Sequence, residues 1–187
     1  MSQELSYQQC RQMIKNCDVL LYRGKGFYAR VISYFFESPY THAGLAVWWN
    51  HRLMVMEAVG KGVIVTPLSE NLGRHDGGVD YFQCEVELAD SQREEMVQFA
   101  QMQLGKEYNI WALLRSGLRV VFRLPLKDKE GAFKHSAGKY FCSQYVSDVY
   151  DQAGVDLSID LSSTRTSPDA IAKSPLLRFH GVIKSDG

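Results

Sequence analysis

Two runs rich in Val, Leu, Met and Trp, residues 43–49 and 52–58, are separated only by Asn50 and His51. A two-residue connection between β-forming runs reads as a hairpin, although Asn-His is a weaker turn signal than Asn-Gly. Such a turn leaves the pairing little freedom. Trp49 faces Arg52, and His42 faces Val59 on the neighbouring strand. Glu57 then lies diagonal to His42 on one sheet face, about 7–8 Å away and within reach of a long side chain. A turn one residue longer or shorter would send Glu57 to the other face and into water.

The remaining chain supplies more strands and several helices. Residues 6–15 read as a short helix with Ser6 as N-cap, and 18–22 as a strand ended by Arg23-Gly-Lys-Gly26. Residues 27–36 carry Phe27, Val31, Tyr34 and Phe35 at helical spacing, and Pro39 prevents continuation. After the hairpin, Gly60-Lys-Gly62 turns the chain into a strand over 63–66, and Pro67 opens a turn or short helix. The run 71–78, NLGRHDGG, is a loop by composition, and 79–88 is a further strand. Asp90 and Ser91 begin a helix whose Ser91-x-x-Glu94 has the capping-box pattern, with Met96, Val97, Ala100 and Leu104 on one face and Gly105 as its stop. Residues 109–122 are expected to be helical and 124–139 to form a loop. A helix over 142–153 stops at Gly154, Ser167-Pro168-Asp169 starts another, and 176–183 is the last strand. A run of strands bounded by helices predicts an α+β fold, and 187 residues suit a single domain over 1–187.

Composition narrows the function classes. Basic and acidic residues number 21 each, so the basic excess of a nucleic-acid binder is absent. The N-terminus MSQELSYQQC lacks a basic and then apolar leader, and no apolar run is long enough to span a bilayer, so a cytoplasmic location is the default expectation. The four cysteines, at 10, 17, 84 and 142, are expected to be reduced; they form no CxxC pair, and neither a metal nor a cofactor is expected.

Cys142 opens a predicted helix. A helix N-terminus presents unpaired N–H groups and partial positive charge, which favour thiolate and can stabilise an oxyanion. Chemically inert, buried cysteines are the commoner case, and Cys10, Cys17 and Cys84 keep that reading because none opens a helix. His42 stands at the mouth of a strand with Ala43 and Gly44 beside it, which leaves room in front of the ring. Of the other histidines, His51 is in the turn, His75 and His135 are in loops, and His180 is in the last strand. Glu57 is an acid in an otherwise apolar strand, and an unpaired carboxylate facing a core would be costly. Placed diagonal to His42, it could orient the imidazole and stabilise its charged form.

The ordered set Asp18-Val-Leu-Leu with Gly26, Tyr40-Thr-His42-Ala-Gly-Leu, Met56-Glu57-Ala with Gly62-Val63, Gly105-x-x-Tyr108, Phe141-Cys142-Ser143 and Thr166-Ser-Pro-Asp resembles the NlpC/P60 superfamily of papain-like enzymes. The likeness is to its circularly permuted branch, the YiiX- and LRAT-related group, in which histidine precedes cysteine. It runs from about Asp18 to Asp169. The resemblance implies a permuted papain-like fold, an antiparallel sheet flanked by helices. It implies Cys142 as nucleophile, His42 as base, Glu57 as the orienting residue and Tyr108 near the oxyanion or substrate.

A cysteine hydrolase acting on an amide in a peptide or peptidoglycan-derived fragment is the function expected on this basis. A lipid amidase, thioesterase or acyltransferase acting on acyl-lipid substrates is the alternative within catalysis, and a binding module that lost turnover is the alternative outside it. Arg115, Arg119 and Arg123 lie four apart in the apolar 109–123 stretch. A core helix with a solvated edge is the preferred reading there, over a surface that rests on an anionic membrane.

Overall fold

The computed structural model describes residues 3–24, 38–60, 62–75, 78–106, 142–157 and 167–186. The expected helix over 27–36, Tyr108, the 109–122 stretch with its arginines and the loop over 124–139 lie outside those residues. The described residues form an α+β structure around one sheet of seven strands: β1 (Glu4–Ser6), β2 (Val19–Tyr22), β3 (His42–Trp49), β4 (Arg52–Val59), β5 (Gly62–Pro67), β6 (Val79–Cys84) and β7 (Leu177–Lys184). Their order across the sheet is β1-β7-β6-β2-β3-β4-β5. Every neighbouring pair is antiparallel except β1 with β7, which is parallel.

The β3–β4 hairpin sets the register of the sheet's functional half. Asn50 and His51 both adopt left-handed backbone conformations, φ 47° and 63°, as a two-residue type I′ turn requires. Pairing runs from Trp49 with Arg52 to Gly44 with Glu57, the register expected from the sequence.

Alternation along the strands divides the core between two faces. Val19, Leu21, Ala43, Leu45, Met56 and Ala58 face one cluster with Tyr145, Val146, Val149 and Tyr150 of α4 (Cys142–Asp151) and Met96, Val97 and Ala100 of α3 (Asp90–Met102). Leu20, Tyr22, Ala46, Leu53, Val55 and Tyr81 face the other. That side is covered by Cys10 of α1 (Tyr7–Arg11) and Leu68 and Leu72 of α2 (Leu68–Gly73). Each fully buried side chain of this kind contributes about 1.5–3 kcal/mol, so the pinning of β3 and β4 between helices is a strong constraint.

Several boundaries differ from the sequence reading. Ser6 does cap α1, accepting from Gln9 N at 3.2 Å, but the helix is five residues rather than ten. Glu4–Ser6, too short to alternate, adds to β7 as an edge strand. The first part of the expected loop over 71–78 is helical instead. Leu68 and Leu72, four apart, bury themselves against the sheet and outweigh the polar composition. Strand β6 ends at Cys84, short of the expected 88. Helix α3 begins at Asp90 as expected, but Ser91 and Glu94 do not form its cap; the N-cap is Ala89, two residues earlier, and the Gln92 side chain accepts from the Ala89 N–H at 3.0 Å. The last short helix, α5 (Pro168–Ala172), starts as expected, with Ser167 Oγ accepting from Ala170 N at 3.1 Å.

Candidate active site

Cys142 is the first residue of α4 and is buried at the helix start. The apolar face of α4 packs on β3 and β4 and so fixes where this N-terminus lies. His42 is the first residue of β3, paired across the sheet with Tyr22 of β2. The Tyr22 ring packs against the imidazole with centroids 5.2 Å apart. His75 packs on the same tyrosine at 4.6 Å.

Glu57 projects from β4 onto the face occupied by Tyr22 and α2, and is 6% exposed. Its Oε2 lies 2.7 Å from His42 Nε2. An ionised carboxylate only accepts, so Nε2 carries the hydrogen and Nδ1 is left for another partner. Glu57 Oε1 accepts from Asn71 Nδ2 at 2.9 Å, a buried contact. Both oxygens of the buried carboxylate are thereby satisfied, which removes most of the cost of burying it.

The small residue at 44 serves this approach. A Cβ there would stand 3.1 Å from Val55 Cγ1, 3.3 Å from the Met56 carbonyl oxygen and 3.4 Å from Glu57 Cβ. Gly44 therefore makes space for the strand that carries Glu57.

The electrostatics of His42 follow from these neighbours. Burial works most strongly against its protonation. The charge of Cys142 and a hydrogen bond to its side chain, then a hydrogen bond to Glu57 and that carboxylate's charge, outweigh burial and push the imidazole pKa up to about 10. The ring is thus an imidazolium at neutral pH, held between an acid and a sulfur. Tyr22 is driven the other way from reactivity: burial, reinforced by the Glu57 charge, raises its hydroxyl well above the ordinary value. Cys10 and Cys17 are pushed up to about 12 by burial, and Cys84 is raised by the same cause.

The structure therefore brings together His42, Glu57 and Cys142 among the residues singled out from sequence. Tyr108 lies outside the described residues. Sequence reasoning missed Asn71 and Tyr22. The available signal for Asn71 was its place between Leu68 and Leu72, which puts a polar side chain on the buried side of α2. His180 packs on Tyr81 at 5.5 Å and His51 sits in the hairpin turn.

A strand-borne histidine followed, later in the chain, by a cysteine at a helix start beside a mostly antiparallel sheet is the permuted papain-like arrangement. Residues 15–113 match the family described as permuted papain-like amidase enzyme, YaeF/YiiX, C92 family, and that span, more than half of the chain, shows that the chain belongs to it. His42, Glu57 and Asn71 fall within the match, and Cys142 lies beyond it. No curated protein matches the chain. Among solved structures, the crystal structure of the metalloprotein YiiX from Escherichia coli O157:H7 is similar, with a TM-score of 0.68 and 21% identity. The likeness covers 90% of this chain and 97% of that one, and it shows a shared fold. The described residues of this chain hold no group of three or more His, Cys, Asp or Glu side chains placed for a metal ion. Glu57 has both oxygens committed to His42 and Asn71, so its carboxylate does not fit a ligand role.

Proposed function

We propose that the chain is a cysteine hydrolase that opens an amide bond through an acyl-enzyme, with Cys142 as nucleophile, His42 as proton carrier and Glu57 as the orienting residue. The observation that carries this reading is the 2.7 Å contact of His42 Nε2 with Glu57 Oε2, which leaves the other ring nitrogen for Cys142. The Cys142 thiolate attacks the carbonyl carbon, and the carbonyl oxygen becomes an oxyanion beside the N–H groups at the start of α4. Imidazolium gives its proton to the leaving amine as the C–N bond breaks, forming a thioester. Neutral His42 then takes a proton from water, hydroxide adds to the thioester, and the acid leaves as the thiolate is restored. On the resemblance of Gly105-x-x-Tyr108 to the tyrosine motif of NlpC/P60 enzymes, we assign Tyr108 to the oxyanion or the substrate.

For the substrate we favour an amide in a peptide or peptidoglycan-derived fragment. The apolar, arginine-bearing 109–123 stretch is the feature that favours the second reading, an acyl-lipid amide, ester or thioester. Incubation with short peptide anilides and with acyl esters of increasing chain length, quenched and read by intact mass, tests both. A covalent acyl adduct that maps to Cys142 and is absent in Cys142→Ala is the expected result. Turnover that rises with acyl length would select the lipid reading. Hydrolysis retained in Cys142→Ala would overturn the mechanism, and no adduct with any substrate class would leave a binding module.

A further inference from the structure

We propose that Asn71 is a positioning residue for this reaction: its side-chain amide holds the Glu57 carboxylate so that one oxygen stays against His42. The inference rests on the roles proposed for Cys142 and His42. A glutamate carboxylate turns about a broad, two-fold terminal torsion, so a single bond to His42 would not fix it. Asn71 Nδ2 donates to Glu57 Oε1 at 2.9 Å, while Oε2 takes His42 Nε2 at 2.7 Å. The two donors approach from different elements, α2 and β3, and together define the plane of the carboxylate.

Asn71 is itself firmly held. Its side chain is 2% exposed, the flanking Leu68 and Leu72 are buried, and its backbone oxygen accepts from Arg74 N at 3.1 Å. The choice of an amide has a physical reason. A carboxylate at the same place would repel Glu57, since two acids so close do not both ionise, whereas an amide N–H favours the charged form that His42 requires. The arrangement also carries a cost that stability alone does not explain. Asn71 Oδ1 is buried without a hydrogen-bond partner among the described residues, so the side chain is desolvated for what its amide nitrogen does, donating to Glu57 beside the Tyr22 hydroxyl.

Among the described residues, the groups that face His42 are Tyr22 from β2, Glu57 from β4 and Cys142 from α4, with His75 beyond the Tyr22 ring. Asn71 carries no charge and touches the group that bonds His42, the Glu57 carboxylate, while its amide also neighbours the Tyr22 hydroxyl. Its removal should therefore act on the imidazole by way of the carboxylate, which turns toward solvent or takes up a proton and deserts the ring.

The test is the titration midpoint of the His42 ring, followed by NMR of the full chain in wild type, Asn71→Leu, Glu57→Gln and the double variant. Asn71→Ala carries the same test if Asn71→Leu does not give folded protein. The expected result is a midpoint lowered by about one pH unit or more in the Asn71 variant, with no further change when Asn71→Leu is added to Glu57→Gln. Iodoacetamide labelling of Cys142 at neutral pH should slow in parallel. An unchanged or raised midpoint, or an equal shift in the Glu57→Gln background, would overturn the proposal while leaving Cys142 and His42 in place. A wild-type His42 that titrates near the ordinary value of about 6.5, with Cys142 labelled no faster than the other cysteines, would instead remove the underlying reading and the proposal with it.

Discussion

Glu57 carries a negative charge into an apolar strand, and its oxygens divide between His42 and Asn71. The charge raises the imidazole pKa together with Cys142, which is the larger contributor. Glu57→Gln keeps the shape and removes the charge, so the His42 midpoint should fall from about 10. The variant should fold normally and lose roughly 100-fold in kcat on an amide, with a smaller change in KM, because the lost interaction matters most when the ring is charged. The alkaline limb of amide turnover reports the same proton. In wild type it should decline as pH rises through about 10, where His42 stops being an acid, and in Glu57→Gln the decline should begin at lower pH. Steady-state kinetics across pH would check both, and an unchanged kcat would reduce the site to a Cys142–His42 pair. The proximity of Glu57 and His42 was legible in the sequence because a two-residue turn permits one register. Asn71 was not, because the run NLGRHDGG reads as a loop by composition, and its helical part is created by burial of two leucines against a sheet that no local pattern reveals.

At the scale of elements, the β3–β4 hairpin is the part on which the site depends, and its turn is the least favourable piece of backbone in it. Asn and His enter the left-handed region more readily than most residues, but only Gly does so without a Cβ penalty, and His51 sits there at φ 63°. His51→Gly should therefore stabilise the protein by about 0.5 kcal/mol, read as a raised denaturant midpoint with unchanged slope. The backbone oxygen of His51, which accepts from Arg11 at 3.0 Å, is retained in that variant. A lowered midpoint would mean that the His51 side chain contributes more than its backbone conformation costs. Strands β3 and β4 were readable as apolar runs joined by a two-residue turn, buried on both faces, and α3 and α4 because each buries one face at helical spacing. Glu4–Ser6 was not, since three residues carry no period and the strand exists only because β7, far along the chain, offers an edge. The start of α3 shows a different limit. The Ser91-x-x-Glu94 pattern is present, yet Gln92 bonds to the Ala89 N–H instead, because an acceptor at the same spacing occurs two residues earlier in the chain.

Across the whole molecule, the fold distributes four cysteines into unlike surroundings. Cys10 lies in the core cluster on the α1 and α2 side, and Cys17 in the one beneath α3 and α4; both are 0% exposed. Burial pushes each up to about 12. Cys84, partly buried at the end of β6, is raised by the same cause. Cys142 alone begins a helix and meets a protonated imidazole. A nearby positive charge favours thiolate, and a thiolate reacts where a thiol does not. Iodoacetamide labelling resolved by peptide mapping, carried from pH 6.5 to 9.5, should therefore modify Cys142 first at every pH. Its rate should rise with pH less steeply than that of an ordinary thiol over that interval, because the charged imidazole beside it favours thiolate until His42 gives up its proton. Cys84 should begin to react only toward the alkaline end, and Cys10 and Cys17 should stay unlabelled while the protein is folded. An ordinary thiol, with its pKa near 8.5, would instead speed up roughly tenfold per unit through neutral pH. A Cys142 profile of that form would mean that its sulfur is a protonated thiol at neutral pH, and that the charge on His42 is set by Glu57 without it.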